Sequence, residues 1–203
     1  MRRLRHLLPT AGLTLGLTAT LLVGSGGVAA AQTWTHTDAT GDVLDLTLSD
    51  HDVVGAAPAP DRAEGDVHTV VVKHTRGKVK VRTAMRALPA ARGWVTVGHI
   101  VTPHGRYEAR AIFLVEGGRS LFLVRKPGRK ESLARCSGLR GVFDRTGGTV
   151  SLRVPRSCLG NPRWVRVNVS VYDWNGDFST YADDAMDPAG WEQQVLSPKL
   201  RRG

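Results

Sequence analysis

Asp38, Asp42 and Asp45 fall within eight residues, around Gly41 and at the start of an alternating run of Leu44, Leu46 and Leu48. Hard oxygen ligands gathered in one turn are what Ca²⁺ requires, so this turn reads as a calcium site, although aspartate and glycine also favour turns without metal. A second acidic group, Asp173, Asn175, Asp177, Asp183, Asp184 and Asp187, is conspicuous in a basic chain. Asp173, Asn175 and Asp177 match the first three oxygen positions of an EF-hand loop and Asp184 its last. Phe178 occupies the place of the sharp-turn glycine, however, and no flanking helices are predicted. The segment is read as an acidic loop that could hold a cation through Asp173 and Asp177.

Between Trp164 and Trp174 a different chemistry is laid out. Trp164, Arg166, Asn168, Ser170, Tyr172 and Trp174 alternate with Val165, Val167, Val169 and Val171. A period of two places the valines toward a core and the others on the opposite face of a strand. Aromatic rings among hydrogen-bonding groups can stack on sugar rings while polar neighbours take the hydroxyls, so Trp164, Arg166, Asn168, Tyr172 and Trp174 are the expected glycan-binding residues. The competing expectation is that a loop or the C-terminal segment covers these rings. A basic segment, Arg125, Lys126, Arg129, Lys130 and Arg135, is opposed only by Glu131 and offers a second reading, a protein-interaction or inhibitor module.

Catalytic spacings are missing. The chain has no Gly-x-Ser-x-Gly, no His-Glu-x-x-His, no phosphate loop and no dinucleotide fingerprint. His99 and His104 flank a turn without an evident third metal ligand. No catalytic residue is assigned, and a hydrolase would need a site built from distant loops.

Strands must position these groups. Val67 to Thr75 and Lys78 to Leu88 form a hairpin around Arg76-Gly77, with Val79, Val81, Thr83 and Met85 facing inward and Lys78, Lys80, Arg82 and Arg86 outward. Trp94 to Thr102, Tyr107 to Glu116 and Ser120 to Lys126 follow, separated by Pro103-His-Gly105 and Gly117-Gly118. Leu139 to Arg145 and Val150 to Val154 form another hairpin around Gly147-Gly148. The mature N-terminus is expected to be loose, 55–65 to be a connector, and 133–137, 155–159 and 188–194 to form short helical turns. The sum is an all-β antiparallel sandwich of about nine strands, jelly-roll or immunoglobulin-like.

Residues 1–31 have the plan of a secretory signal peptide: Arg2, Arg3 and Arg5, an apolar run from Leu7 to Val23, and Ala29-Ala30-Ala31. Residues 32–203 are then a single domain, expected to be secreted, with non-covalent envelope association as the alternative to release, and with no membrane span in the mature chain. In an exported chain the two cysteines most simply form one bond, Cys136 to Cys158, pinning the ends of the last hairpin. Lys and Arg number 28 against 18 Asp and Glu, a formal charge of +10. Such a chain is drawn to polyanions such as wall polymers, and it carries no nucleic-acid motif. A monomer is expected.

Asp38-Ala-Thr-Gly-Asp42, leading into a first strand, resembles the opening of secreted β-sandwich modules of the DOMON and family-9-like carbohydrate-binding type. Thr149-Val-Ser-Leu-Arg-Val154 followed by Pro155-Arg-Ser-Cys158-Leu-Gly-Asn-Pro162 resembles a stretch of uncharacterised exported actinobacterial proteins. The resemblances imply the fold and the compartment, and no catalytic residues. The expected function is a non-catalytic exported binding module for an envelope or extracellular glycan or an anionic wall polymer. Ca²⁺ is the only cofactor the residues suggest.

Overall fold

Alternation in the 164–174 run does what its period requires: in the computed structural model Val165, Val167, Val169 and Val171 are each exposed by 1% or less. Burying a valine side chain contributes roughly 1.5–3 kcal/mol, so this strand anchors the core. The structure describes residues 31–50, 52–89, 93–114, 118–127, 130–174, 179–187 and 195–203. The signal-peptide reading of 1–31 therefore falls almost wholly outside the described residues, as do Asn175, Asp177, Arg129 and the helical turn expected at 188–194.

In chain order the strands are β1 (Gln32–Thr37), β2 (Leu44–Ser49), β3 (Asp52–Pro58), β4 (Val67–His74), β5 (Lys78–Met85), β6 (Trp94–Thr102) and β7 (Gly105–Phe113). They continue with β8 (Arg119–Lys126), β9 (Ser132–Leu133), β10 (Arg140–Asp144), β11 (Thr149–Pro155), β12 (Trp164–Trp174), β13 (Ser179–Asp184) and β14 (Leu200–Arg201). One sheet has the order β1-β4-β5-β11-β10; the other runs β3-β2-β13-β12-β6-β7-β8-β9, with β14 beside the start of β12. All strand pairs are antiparallel. Val70, Val72, Val79, Val81, Leu152 and Val154 of the first sheet pack against the four β12 valines and Ile100, Ala109 and Leu123 of the second in one hydrophobic cluster.

The sandwich and its disulfide are as the sequence predicts, with Cys136 bonded to Cys158 around the β10–β11 hairpin. Among the described residues fourteen strands stand where nine were expected: β1, β3, β9 and β14 are short peripheral elements with weak patterns, and β13 lies inside the larger sheet between β2 and β12. β1, expected to be loose, pairs with β4 along its whole length. β3, part of the expected connector, pairs with β2 across a bulge between Thr47 and Leu48. Its Gly-Ala-Ala-Pro sequence lacks β-branched alternation, and proline is tolerated because β3 is an edge strand. At 133–137 no helical turn forms: Leu133 ends the two-residue strand β9 and 134–136 are irregular, whereas the turn at 155–159 is present as a 3-10 turn, Arg156–Leu159.

Arg156 is buried and its guanidinium donates to the carbonyls of Arg76, Asn161 and Pro162 at 2.7, 2.8 and 2.8 Å. It clamps the β4–β5 turn to the loop entering β12, a role that no sequence pattern marks. Arg156→Lys keeps the charge but cannot span three acceptors, and should cost about 1.5 kcal/mol, read as a fall of ~3–6 °C in the thermal midpoint.

Candidate functional site

The opening turn brings carboxylates together from both sheets. Asp38 follows β1, its side chain accepting from Ala39 N–H at 2.9 Å and its own N–H donating to the His68 carbonyl at 3.2 Å. Gly41 turns the chain with φ +80°, and a Cβ there would sit 3.1 Å from the Pro60 carbonyl oxygen, so a side chain would be both strained by the backbone and crowded. Gly41 N–H and the Arg86 guanidinium both donate to Asp66 Oδ2 at 2.8 Å. From β13, Asp183 accepts Val67 N–H at 2.6 Å. One oxygen from each of Asp38, Asp42 and Asp183 lies within 4.8 Å of the others.

Electrostatically the cluster is overfilled. Burial, with the charge of Asp42 next, pushes the Asp38 carboxyl up to about 7. Burial, offset in part by Val67 N–H and reinforced by Asp38, Asp42 and Asp66, pushes Asp183 up to about 8. Asp42 is also raised, chiefly by burial. Asp38 is only 7% exposed and Asp66 fully buried, yet Asp38 Oδ2, Asp66 Oδ1 and both Asp42 oxygens are shielded from solvent and, among the described residues, accept no hydrogen bond from a neighbouring residue. Buried oxygens without donors need a proton or a cation. Carboxylates at this spacing suit a hard divalent ion, with backbone carbonyls and water left to fill its shell.

A second feature lies on the face of the larger sheet that points away from the core. A cleft of about 570 Å³ has a floor of Leu46, Val95, Val97 and Ile112, with Tyr172 and Trp174 along one side. Trp174 is 38% exposed, and its indole lies against Gly93, where an added Cβ would come within 2.8 Å of the ring. At the far end stand His99, Glu108, Arg110 and Lys126. Lys126 Nζ donates to Glu108 at 2.6 Å; Arg110 donates to Glu108 through Nε at 2.9 Å and to Glu131 at 3.0 Å; His99 Nδ1 lies 3.4 Å from Glu108. Burial pushes the Glu108 carboxyl up, but the His99, Lys126 and Arg110 contacts outweigh it and hold the group well below the usual range. Two anions and two cations balance here, so this end offers fixed donors and acceptors with little net charge.

Ser170 Oγ lies 3.3 Å from His99 Nε2, which gives a Ser–His–Glu order. It is not a nucleophile's geometry. Ser170 is buried in the middle of β12, paired on one side to Val97 and on the other to Asp184, and does not line the cleft. The ladders consume the backbone N–H groups around it, leaving no donor pair for an oxyanion. Its hydroxyl instead joins Asn168 and Asp184 in a buried polar network.

The expected site residues divide. Asp38 and Asp42 share a cluster with Asp183, whereas Asp45 lies in β2 opposite Tyr181 and Ala57, outside it. Asp173 is paired with Arg62, whose guanidinium lies 3.6 Å over the Tyr181 ring. Asp183 and Asp184, adjacent in sequence, point to opposite faces of β13, and Asp184 accepts from Asn168 at 2.7 Å. Of the aromatic–polar face, Tyr172 and Trp174 line the cleft. The other three residues meet the C-terminal segment: Arg166 donates to Ser197 and Leu196 carbonyls, Asn168 to Val195, and Lys199 Nζ lies 4.8 Å from the Trp164 ring centre. In the basic segment, Lys126 is tied to Glu108 and Glu131. Sequence reasoning missed Asp66 and the Glu108 network, whose partners come from separate strands. The strand phase shared by His99 and Glu108 was the only available signal.

The class defined here is an antiparallel β-sandwich with one disulfide, an acidic nest between its sheets and a cleft on its outer face. Compared with known proteins, the chain matches no family model, no curated protein and no solved structure.

Proposed function

We propose that this chain is a non-catalytic exported module that binds a neutral glycan in the outer-face cleft, with Ca²⁺ held by Asp38, Asp42 and Asp183 beside Asp66. The observation that carries the reading is the pairing in one cleft of an exposed indole above an aliphatic floor with a charge-balanced polar end. An indole stacks on the C–H face of a sugar, and the Glu108–Arg110–Lys126 end supplies oriented donors and acceptors for hydroxyls. Because those charges already neutralise one another, an uncharged polyol fits better than an anion. Export rests on the first 31 residues and agrees with the disulfide, which persists in oxidising compartments. No helix among the described residues is long and apolar enough to cross a membrane.

An array of neutral oligosaccharides, followed by titration calorimetry on the best binder, tests the reading. Trp174→Ala should weaken binding by about tenfold, or ~1.4 kcal/mol. Gly93→Ala, which displaces the indole, should weaken it in the same direction. Trp164→Ala should leave it unchanged. Equal effects of Trp164→Ala and Trp174→Ala, or none from either, would exclude the cleft.

A further inference from the structure

The outer face of the five-stranded sheet carries a second, independent surface. Register places Lys73 opposite Lys80, Lys80 opposite Arg153 and Arg153 opposite Arg140, so four cations stand in one row across β4, β5, β11 and β10. Arg82 stands in the next row of this face and Lys78 at its end. At ~4.8 Å per strand the row of four covers about 14 Å. Like charges directly opposite in an antiparallel pair are destabilising, and here three such pairs are consecutive. None of these six cations makes an ion pair among the described residues, and Asp144 is the only carboxylate in phase with them on these strands. A fold that keeps an uncompensated row of this kind is complementary to an anionic partner that supplies the missing charge.

We infer that this face binds a linear phosphodiester polymer lacking bases, such as a polyol phosphate, laid across the strands along the Lys73–Lys80–Arg153–Arg140 row. The arginine forks and lysine point charges are both phosphate-binding groups. Each phosphodiester presents two non-bridging oxygens that share a full charge, so arginines and lysines standing in a row on separate strands can engage successive groups of one linear chain. The neighbouring outward positions are Thr33, Thr35, Thr69, Val71, Ser151 and Val142. They include no aromatic ring, so nothing stacks bases as single-stranded nucleic-acid binders do, and two valines are too little apolar surface to seat the face in a bilayer.

The test uses purified protein and poly(glycerol phosphate) of defined length, with oligo(dT), polygalacturonate and phosphatidylglycerol vesicles in parallel. Wild-type protein should bind the polyol phosphate with log K falling linearly against log salt. Lys80→Gln/Arg153→Gln should weaken binding by about tenfold and lower the salt slope by roughly 0.7 per cation removed. It should also leave the thermal midpoint unchanged or raised, because all three repulsive pairs are relieved. Arg106→Gln/Arg163→Gln removes the same charge elsewhere and should have little effect. Equal weakening by both double variants would reduce the binding to net charge and overturn the site. Tighter binding to oligo(dT), polygalacturonate or vesicles than to the polyol phosphate would overturn the ligand. Glycan binding in the cleft should be unaffected throughout, so the two sites fail separately.

Discussion

Calcium at a hundredfold excess over its dissociation constant should raise the thermal midpoint of the wild-type protein by ~5–10 °C, and Asp183→Asn or Asp38→Asn should abolish the rise. A ligand that binds only the folded state contributes about 2.7 kcal/mol at that excess, and a domain of this size shifts by ~2–4 °C per kcal/mol. The pH dependence is opposite to that of a salt-bridged carboxylate. Asp38 and Asp183 titrate at about 7 and about 8 in the metal-free fold, against an ordinary value of 3.8. From about pH 4 to pH 8 the folded state therefore binds more protons than the unfolded chain, and stability falls as pH rises through that window by ~1.4 kcal/mol per pH unit for each proton of difference. Below it both states are protonated and the stabilisation is fully present. Metal-free protein should accordingly melt higher at pH 5 than at pH 8, and calcium should remove most of the difference by taking the place of the protons. Glu108 has the reverse sign: its lowered pKa stabilises the fold above the ordinary glutamate range and is lost in stronger acid. Thermal melts across pH, with calcium and with chelator, separate the two.

Removing the disulfide should be comparably costly. Cys136→Ser/Cys158→Ser opens a loop closed over 22 residues, worth about 3 kcal/mol in the chain-entropy model, or a fall of ~6–12 °C in the midpoint. The loss should be local before it is global. β10 is an edge strand paired only with β11, and its outer residues are exposed. Hydrogen exchange should therefore lose protection in β10 first, while the β6 and β12 amides at the centre of the other sheet stay slow. Uniform loss of protection would mean that the bond holds the core together rather than the hairpin.

Strand phase was legible from the sequence wherever a β-branched residue recurred at every second position, as in β5 and β12, because burial on one face writes itself into that period. Edge strands were not, since β1 and β3 make half their contacts with solvent and tolerate Thr, Gly, Ala and Pro. The candidate sites divide on the same principle. Asp38 and Asp42 are close in sequence and could be grouped from it. Asp66 and Asp183 reach them only through the β1–β4 and β12–β13 pairings, and no local spacing encodes those. The period of β12 places its aromatic face away from the core, and over Trp164, Arg166 and Asn168 the competing expectation holds: the C-terminal segment 195–199 covers them, while Tyr172 and Trp174 stay in the cleft, a division that the period cannot encode. The basic row could not be drawn until the register was known, since Lys73, Lys80, Arg140 and Arg153 come from four strands.

Glycan recognition in the cleft is tested most directly by proton–nitrogen NMR spectra of the labelled protein, titrated with the tightest-binding neutral oligosaccharide. Saturable shifts should centre on the Trp174 indole N–H and the amides of Val95, Val97, Ile112 and Thr180, with Lys80 and Arg153 unmoved. Saturation that leaves the Trp174 indole in place, or shifts gathered instead around Trp164 and residues 195–199, would contradict it.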